Sequence, residues 1–425
     1  MTPYLSFRRR RRLVALATAC AACCAAPGVA PATAQTAAEE AVMTRARPDF
    51  DPIGIEIFFD EEQPAPPLTV FPALGLGGGY DSNVFRESEG GRGDFFWEIS
   101  PALRVSNTGQ DLGLEAGISA RVRRNLEFES NDFEDYDIYG QANYFFLDSD
   151  ISLQIGYSRG HEDRSDPDST GSGENIIQYD RYRALIYSQN RFGDFLVSPS
   201  LEYYKYNYLT GPDRDGRDHW QGVATLRLGY EFQPGYVVFL EPGYDLRRYD
   251  LAVDSLGLNR DSSGWQALAG LTYNVSAVTF AEAYVGYFQQ DYEDAALADA
   301  GGLTYGGTLT WNPLDLLTVN ASIDRSVQKS TLAGVSGTVS TSYLLGFDYE
   351  FTDSLMLTTS GIVTTSSFEG ASREDFSYSA GASLVYLVNE FAQARLGSRY
   401  EARDSDLETN SYRAMIVEAL LTLQY

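Results

Sequence analysis

Leu112-Gly113-Leu114-Glu115-Ala116-Gly117-Ile118-Ser119-Ala120-Arg121-Val122-Arg123 alternates strictly, with Leu, Leu, Ala, Ile, Ala and Val on one face and Gly, Glu, Gly, Ser, Arg and Arg on the other. A period of two marks a β-strand, whose successive side chains point to opposite faces. The pattern recurs in both directions along the chain. Trp97, Ile99, Leu103 and Val105 oppose Glu98, Ser100 and Arg104, while Trp220, Ala224, Leu226, Leu228 and Tyr230 oppose Gln221, Thr225, Arg227 and Glu231. Farther on, Phe376, Tyr378, Ala380, Ala382, Leu384 and Tyr386 oppose Ser377, Ser379, Gly381 and Ser383. Between Thr69 and Tyr425 the chain reads as about eighteen such segments.

A soluble sandwich would alternate in the same way, so the breaks decide. Connections at 107–111, 147–150, 189–194, 233–235, 275–277, 313–316, 351–354 and 388–390 are short, whereas those at 81–94, 161–177, 210–218, 250–263, 289–301 and 401–411 are long and polar. Short turns at one end and long loops at the other, with both termini on the short side, are the rhythm of an outer-membrane β-barrel. Segments of about eleven residues, rising roughly 3.3 Å each and tilted about 45°, span the roughly 25 Å apolar band of such barrels. The expected fold is all-β: one closed transmembrane antiparallel barrel of about eighteen strands, with long extracellular loops and short periplasmic turns. The weaker patterns at 74–80 and 195–208 leave one hairpin fewer, sixteen strands, as the alternative count.

The N-terminal residues read as an address. Arg8 to Arg12 precede an apolar Ala-rich run from Leu13 to Ala26, and Ala32-Thr33-Ala34 offers a cleavage site before Gln35, so residues 1–34 form a signal peptide. The run is too short to span a bilayer. A lipoprotein signal is the rival, because Cys20 and Cys23 follow small residues, but the Leu of a lipobox is missing. All three cysteines, Cys20, Cys23 and Cys24, leave with the signal, so the mature chain has no disulfide and no thiolate ligand. Residues 35–68, acidic and Pro-rich, read as a periplasmic tail too short for the folded plug of a large energy-coupled receptor, and 69–425 as the barrel. With a formal charge of −27, more negative still once the arginines are removed, the chain repels nucleic acid.

Two features bear on partners. In the last segment Met415, Val417, Ala419, Leu421, Leu423 and Tyr425 share one face, and Leu421, Leu423 and Tyr425 resemble the C-terminal signature read by the barrel assembly machinery. Aromatics gather near strand ends, as in Phe95-Phe96-Trp97 and Tyr144-Phe145-Phe146, where such rings suit the membrane interfaces and outer-membrane lipid and lipopolysaccharide.

If the apolar face meets lipid, Glu98, Arg104, Glu115, Arg121, Arg123, Arg181, Arg183, Arg227, Glu241, Glu282, Arg395 and Arg399 line the lumen. They either pair across neighbouring strands or set up a transverse field that sorts polar solutes. The Asp-rich stretches 161–168 and 213–218 lack EF-hand spacing and read as solvated loops, so neither metal nor cofactor is expected. The only histidines, His161 and His219, have no nucleophile beside them in sequence, which argues against an enzyme. Lys205 and Lys329 are the only lysines, and the sequence gives them no role.

Gly77-Gly78-Gly79-Tyr80-Asp81-Ser82-Asn83-Val84-Phe85-Arg86 resembles the opening of a family of outer-membrane β-barrel porins often encoded with exopolysaccharide genes. The likeness in hairpin size extends over most of 69–425, but only this opening is motif-like. The resemblance implies a general pore or a conduit for exported polysaccharide. The expected function is an outer-membrane pore for passive diffusion of small polar solutes. The alternatives are a component of exopolysaccharide export and a closed structural or adhesin barrel.

Overall fold

The computed structural model describes residues 68–109, 111–167, 175–276, 278–330 and 332–425. The expected signal peptide at 1–34, and the expected tail at 35–68 apart from Leu68, lie outside the described residues. Eighteen strands follow one another: β1 (Thr69–Asp81), β2 (Asp94–Thr108), β3 (Leu112–Asn125), β4 (Phe133–Phe146), β5 (Ser149–His161), β6 (Gln178–Phe192), β7 (Phe195–Tyr208), β8 (His219–Gln233), β9 (Tyr236–Tyr249), β10 (Ser262–Ser276), β11 (Thr279–Tyr292), β12 (Ala300–Leu314), β13 (Leu317–Lys329), β14 (Gly337–Thr352), β15 (Leu355–Glu369), β16 (Glu374–Asn389), β17 (Ala392–Ser405) and β18 (Tyr412–Gln424). Each is antiparallel to its neighbours in sequence, and β1 also pairs with β18 from Ala73↔Gln424 to Asp81↔Ile416, which closes the sheet. Eighteen, not sixteen, is the count, and both weaker segments are full strands.

The alternation sets which face is which. On β3, Leu112, Leu114 and Ile118 are exposed while Glu115, Ser119 and Arg123 on the other face are partly covered. A closed cylinder whose outer surface carries Leu103, Ile118, Ile155, Leu228, Leu240, Leu345 and Leu396, all exposed, is built for lipid rather than water. Closure is what makes this tolerable, since a free strand edge in hydrocarbon leaves polar backbone unpaired. Exposed rings border the apolar zone at both ends, with Trp97, Tyr203, Trp265 and Tyr287 toward the long loops and Phe195, Tyr230, Trp311 and Phe391 toward the short turns. The chain is an outer-membrane β-barrel, and its two- and three-residue turns are periplasmic.

Glycine matters where β1 is squeezed between β2 and β18. A Cβ on Gly79 would lie 2.3 Å from the Val417 carbonyl oxygen and 2.7 Å from the Phe96 ring. The inward-facing Gly75, Gly77 and Gly79 therefore thin this wall for Phe96 and Leu420.

Placing a charge on the lipid face at mid-height tests the orientation. Ile118→Arg is expected to cost roughly 2–4 kcal/mol in vesicle-refolded protein. The equivalent change at Leu112, near the interface, should cost about 0–1 kcal/mol by urea titration. Equal, small effects at both sites would contradict the lipid-facing assignment.

Candidate functional site

The predicted interior residues all lie on the strand faces opposite the exposed apolar rows, and most of them meet in pairs. Arg123 reaches Glu98 at 2.9 Å, Arg104 lies 3.6 Å from Glu115, and Arg121 lies 3.2 Å from Asp135. Arg227 of β8 is held between Glu241 of β9 at 2.5 Å and Glu282 of β11 at 2.9 Å, with Phe239 beneath its guanidinium. Removing Arg227 from such a buried group leaves two acids facing each other uncompensated, at roughly 3–5 kcal/mol. Arg183 donates to Gln154 and Arg181 to Ser158. Arg399 pairs with Glu401 at 2.6 Å, while Arg395 sits across from Val385 in the β16–β17 ladder.

The mouth above this wall was not legible in the same way. In the β1–β2 loop, Asp81 accepts hydrogen bonds from the Asn83 N–H and from Arg86, and Asn83 in turn contacts Glu87 and the Arg413 carbonyl. Arg86, with φ of 55°, also reaches Glu401 of β17 at 3.2 Å. The motif-like opening of the barrel is thus a knotted loop fastened to β17 and β18. It receives the start of the β5–β6 loop, where Arg164 lies over the Phe85 ring and donates to Asn131 at 2.6 Å. That loop then crosses the mouth: Arg403 donates to the Ser165 carbonyl and Arg373 to the Pro167 carbonyl at 3.2 Å, although β5 and β17 are six strands apart round the barrel. Glu162 is paired with Arg217, both largely covered. The expectation of plain solvated loops at 161–168 and 213–218 is corrected in part, because Glu162 and Arg217 pair between the two loops under cover, while Arg214 and Asp215 stay exposed.

A second element enters from another side. At the top of β14, Gly337, Thr338, Val339, Ser340 and Thr341 are all buried, so both faces of the strand are covered where alternation would expose one. Val339 packs with Phe288 of β11 and Ala300 of β12 rather than facing outward. The upper β13–β14 hairpin is therefore a tongue folded inside the barrel. Lys329, at the upper end of β13 beside the tip, lies with Nζ 4.1 Å from the Tyr206 ring centroid and 3.2 Å from the Tyr208 hydroxyl, on β7, six strands away. Tyr206 is the first ring of a stack that runs through His219, 4.9 Å away, to Tyr249, 5.0 Å farther. The tip is gripped by Arg260 of the β9–β10 loop, which donates to the carbonyls of Ser330 at 2.9 Å, Val335 at 3.2 Å and Leu332 at 3.3 Å. Asp254 holds Arg260 in turn at 2.6 Å.

A closed, lipid-facing barrel with an ion-paired interior and a looped-over mouth defines an outer-membrane transport barrel. The chain belongs to the family described as "Putative beta-barrel porin 2", whose model matches residues 63–425. No curated protein matches the sequence. Similar solved structures include the siderophore receptor PirA from Pseudomonas aeruginosa, at 10% identity and a TM-score of 0.44 over 84% of this chain and 80% of that one. They also include the outer-membrane protein OpdK from the same organism, at 11% and 0.47 over 84% and 99%. OpdL, again from that organism, matches at 15% and 0.45 over 84% and 98%. These likenesses concern barrel architecture alone. The expectation of a pore for passive diffusion is overturned. In this chain the β5–β6 loop and the β13–β14 tongue both cross the outer lumen, where an open pore would be clear. Among the described residues, no group of three or more His, Cys, Asp or Glu side chains is placed to hold a metal.

Asp254 makes the grip on the tongue pH-dependent in a defined direction. Burial opposes its ionisation, but hydrogen bonds from the Leu258 N–H, from Arg260 and from the Leu256 N–H outweigh it and hold the carboxyl below its usual 3.8. A depressed folded-state pKa gives stability that is complete above 3.8 and is lost as pH falls through the folded value. Trypsin cleavage at the tongue is expected to be equally slow at pH 8 and pH 6, and faster at pH 8 in Asp254→Asn. Equal cleavage of variant and parent would remove Asp254 from the grip.

Proposed function

We propose that this protein is a gated outer-membrane conduit for a polar, hydroxyl-rich solute, held shut at rest by the β13–β14 tongue and the β5–β6 loop. The observation that carries the reading is the tongue itself, whose β14 strand is buried on both faces from Gly337 to Thr341 and whose β13 strand is fastened to the opposite wall through Lys329. The interior beneath it offers acids, amides and hydroxyls interleaved with rings, such as Glu115 with Tyr139, Gln141 with Asn143, and Asp324 with Tyr284. Such a wall exchanges hydrogen bonds with a hydrated solute and presents ring faces to its C–H surfaces. The twelve interior acids and bases act here as a fixed lining, and the resemblance to barrels encoded with exopolysaccharide genes makes a saccharide chain the solute we favour. Leu421, Leu423 and Tyr425, on the outer face of β18, serve as the assembly signal in this reading. The polar outer rim, with pairs such as Arg159–Asp180 and Arg124–Glu134, meets lipopolysaccharide headgroups.

Conductance of the purified barrel in planar bilayers tests this. The parent protein is expected to stay mostly closed, and shortening the β5–β6 loop across 165–176 should raise its open time several-fold. Oligosaccharides should alter the current at lower concentration than glycerol or sucrose. A parent barrel that is steadily open ends the gating reading. One that gates but ignores oligosaccharide keeps the gate and loses the solute.

A further inference from the structure

The wall beside the tongue is incomplete. Between β12 and β13 the ladder runs from Leu314↔Leu317 only as far as Gly306↔Asp324, whereas β12 remains paired to β11 up to Ala300 and β13 to β14 up to Lys329. Above Gly306 two side-chain hydrogen bonds replace backbone pairing. Thr304 Oγ1 donates to the Arg325 carbonyl at 2.6 Å, and Arg325 Nε donates to the Leu303 carbonyl at 3.1 Å. The upper edge of β12 thus keeps a row of backbone groups facing the strand that has left it, and a Cβ added to Gly302 in that row would meet nothing within 4 Å. Extending the register by one step at a time matches Tyr305 with Arg325, Thr304 with Ser326, Leu303 with Val327 and Gly302 with Gln328.

We propose that the upper edge of β12, Ala300 to Tyr305, is a docking site for this chain's own Arg325–Lys329 segment, so that the barrel has two states. In one, the hairpin lies in the lumen as the tongue; in the other, it swings with the upper part of β15, to which β14 stays paired from Gly337↔Glu369 to Ser342↔Thr364, zips onto β12, completes the wall and clears the outer lumen. This inference rests on the gated reading and names the moving part. The latch that must break is Lys329 on Tyr206 and Tyr208, together with the Arg260 grip on the tip. The groups that gain partners are the backbone N–H and C=O along β12 and β13, which need no new side chain to recognise one another. The hinge of the moving strand lies at Asp324-Arg325, where the β12–β13 ladder ends, while β12 stays fixed on β11, packed so closely that a Cβ on Gly307 would sit 2.6 Å from the Glu282 carbonyl oxygen.

The test is a cysteine pair, Gly302→Cys with Gln328→Cys, in a chain whose mature part has no cysteine of its own. These positions are neighbours only in the zipped state, where their Cα separation suits a disulfide. Oxidation is expected to form the bond slowly, from the minor state, and to raise open time at least tenfold, with reversal by reductant. A control pair within the existing ladder, Thr308→Cys with Ser322→Cys, should cross-link readily and leave conductance unchanged. Lys329→Met, which keeps the stem and drops the charge, should speed formation of the first disulfide several-fold. Failure of the thiols introduced at Gly302 and Gln328 to join, while each reacts with maleimide, overturns the proposal. So does a disulfide that forms without changing conductance. If shortening the β5–β6 loop still opens the pore in either case, the conduit is gated and only the zipping of β12 is wrong.

Discussion

The requirement that every backbone N–H and C=O at membrane height find a partner governs the rest of the molecule. It forces closure through β1 and β18, and within the wall it confines breaks in the ladder to short steps beside prolines, as at Pro101, Pro199 and Pro242. The interrupted seam between β12 and β13 obeys it. Its open stretch starts at Tyr305 and rises past Leu303, which pairs across to Tyr287, one of the exposed rings of the outer girdle, so most of it lies at the level where water and lipid headgroups can satisfy what β13 does not. A moving hairpin has to be placed at the outer rim, because a split lower in the wall would expose unpaired backbone to acyl chains.

The same accounting explains why the tongue can be bistable while the rest of the interior is fixed. Arg227 between Glu241 and Glu282 is a buried charge with two partners, and pulling it apart costs roughly 3–5 kcal/mol. The tongue hangs on weaker bonds. A cation over a tyrosine face is worth about 0.5–2 kcal/mol. Each backbone hydrogen bond regained on β12 nets about 0.5–1.5 kcal/mol. Several such bonds stand against the Lys329 contacts, the arginine grip and the packing of Val339 on Phe288 and Ala300, none of them an ion pair, and a ligand can tip that balance. The rigid Tyr206–His219–Tyr249 stack on the far wall supplies a surface that does not have to reorganise when Lys329 arrives.

The barrel was legible because its information is local. Leu112 to Arg123 names its own faces, and loop length alone assigns the two ends; all eighteen strands fall where alternation and loop rhythm put them. The tongue escaped because Arg325 to Lys329 and Gly337 to Ser342 alternate as well as any wall strand, and their displacement depends on Tyr208, more than a hundred residues away. A trace was nonetheless present. Val339 and Thr341 stand where other strands carry Phe, Tyr or Leu toward lipid, and β12 bears Gly301, Gly302, Gly306 and Gly307 alongside. Lys329, one of two lysines and without a role in the sequence, proves to be the residue that spans the lumen. The Asp81-to-Arg86 motif carried a resemblance but no mechanism until the loops were placed, since its partners Glu401 and Arg413 lie at the far end of the chain.

Two closures of unlike strength follow from where these partners sit. The β5–β6 loop is fastened through carbonyls to Arg373 and Arg403, and both arginines are themselves anchored on Asp375, so moving the loop disturbs a buried network shared by β16 and β17. The tongue is held by the Arg260 loop, by Lys329 on the tyrosine stack and by the packing of Val339 on Phe288 and Ala300, and none of these contacts is an ion pair. A solute that competes for ring faces therefore acts on the weaker closure first, and the stronger one keeps the mouth narrow while it does so. Opening in that order would let the barrel sample a ligand without giving free passage to everything else, which is the advantage of two closures over one.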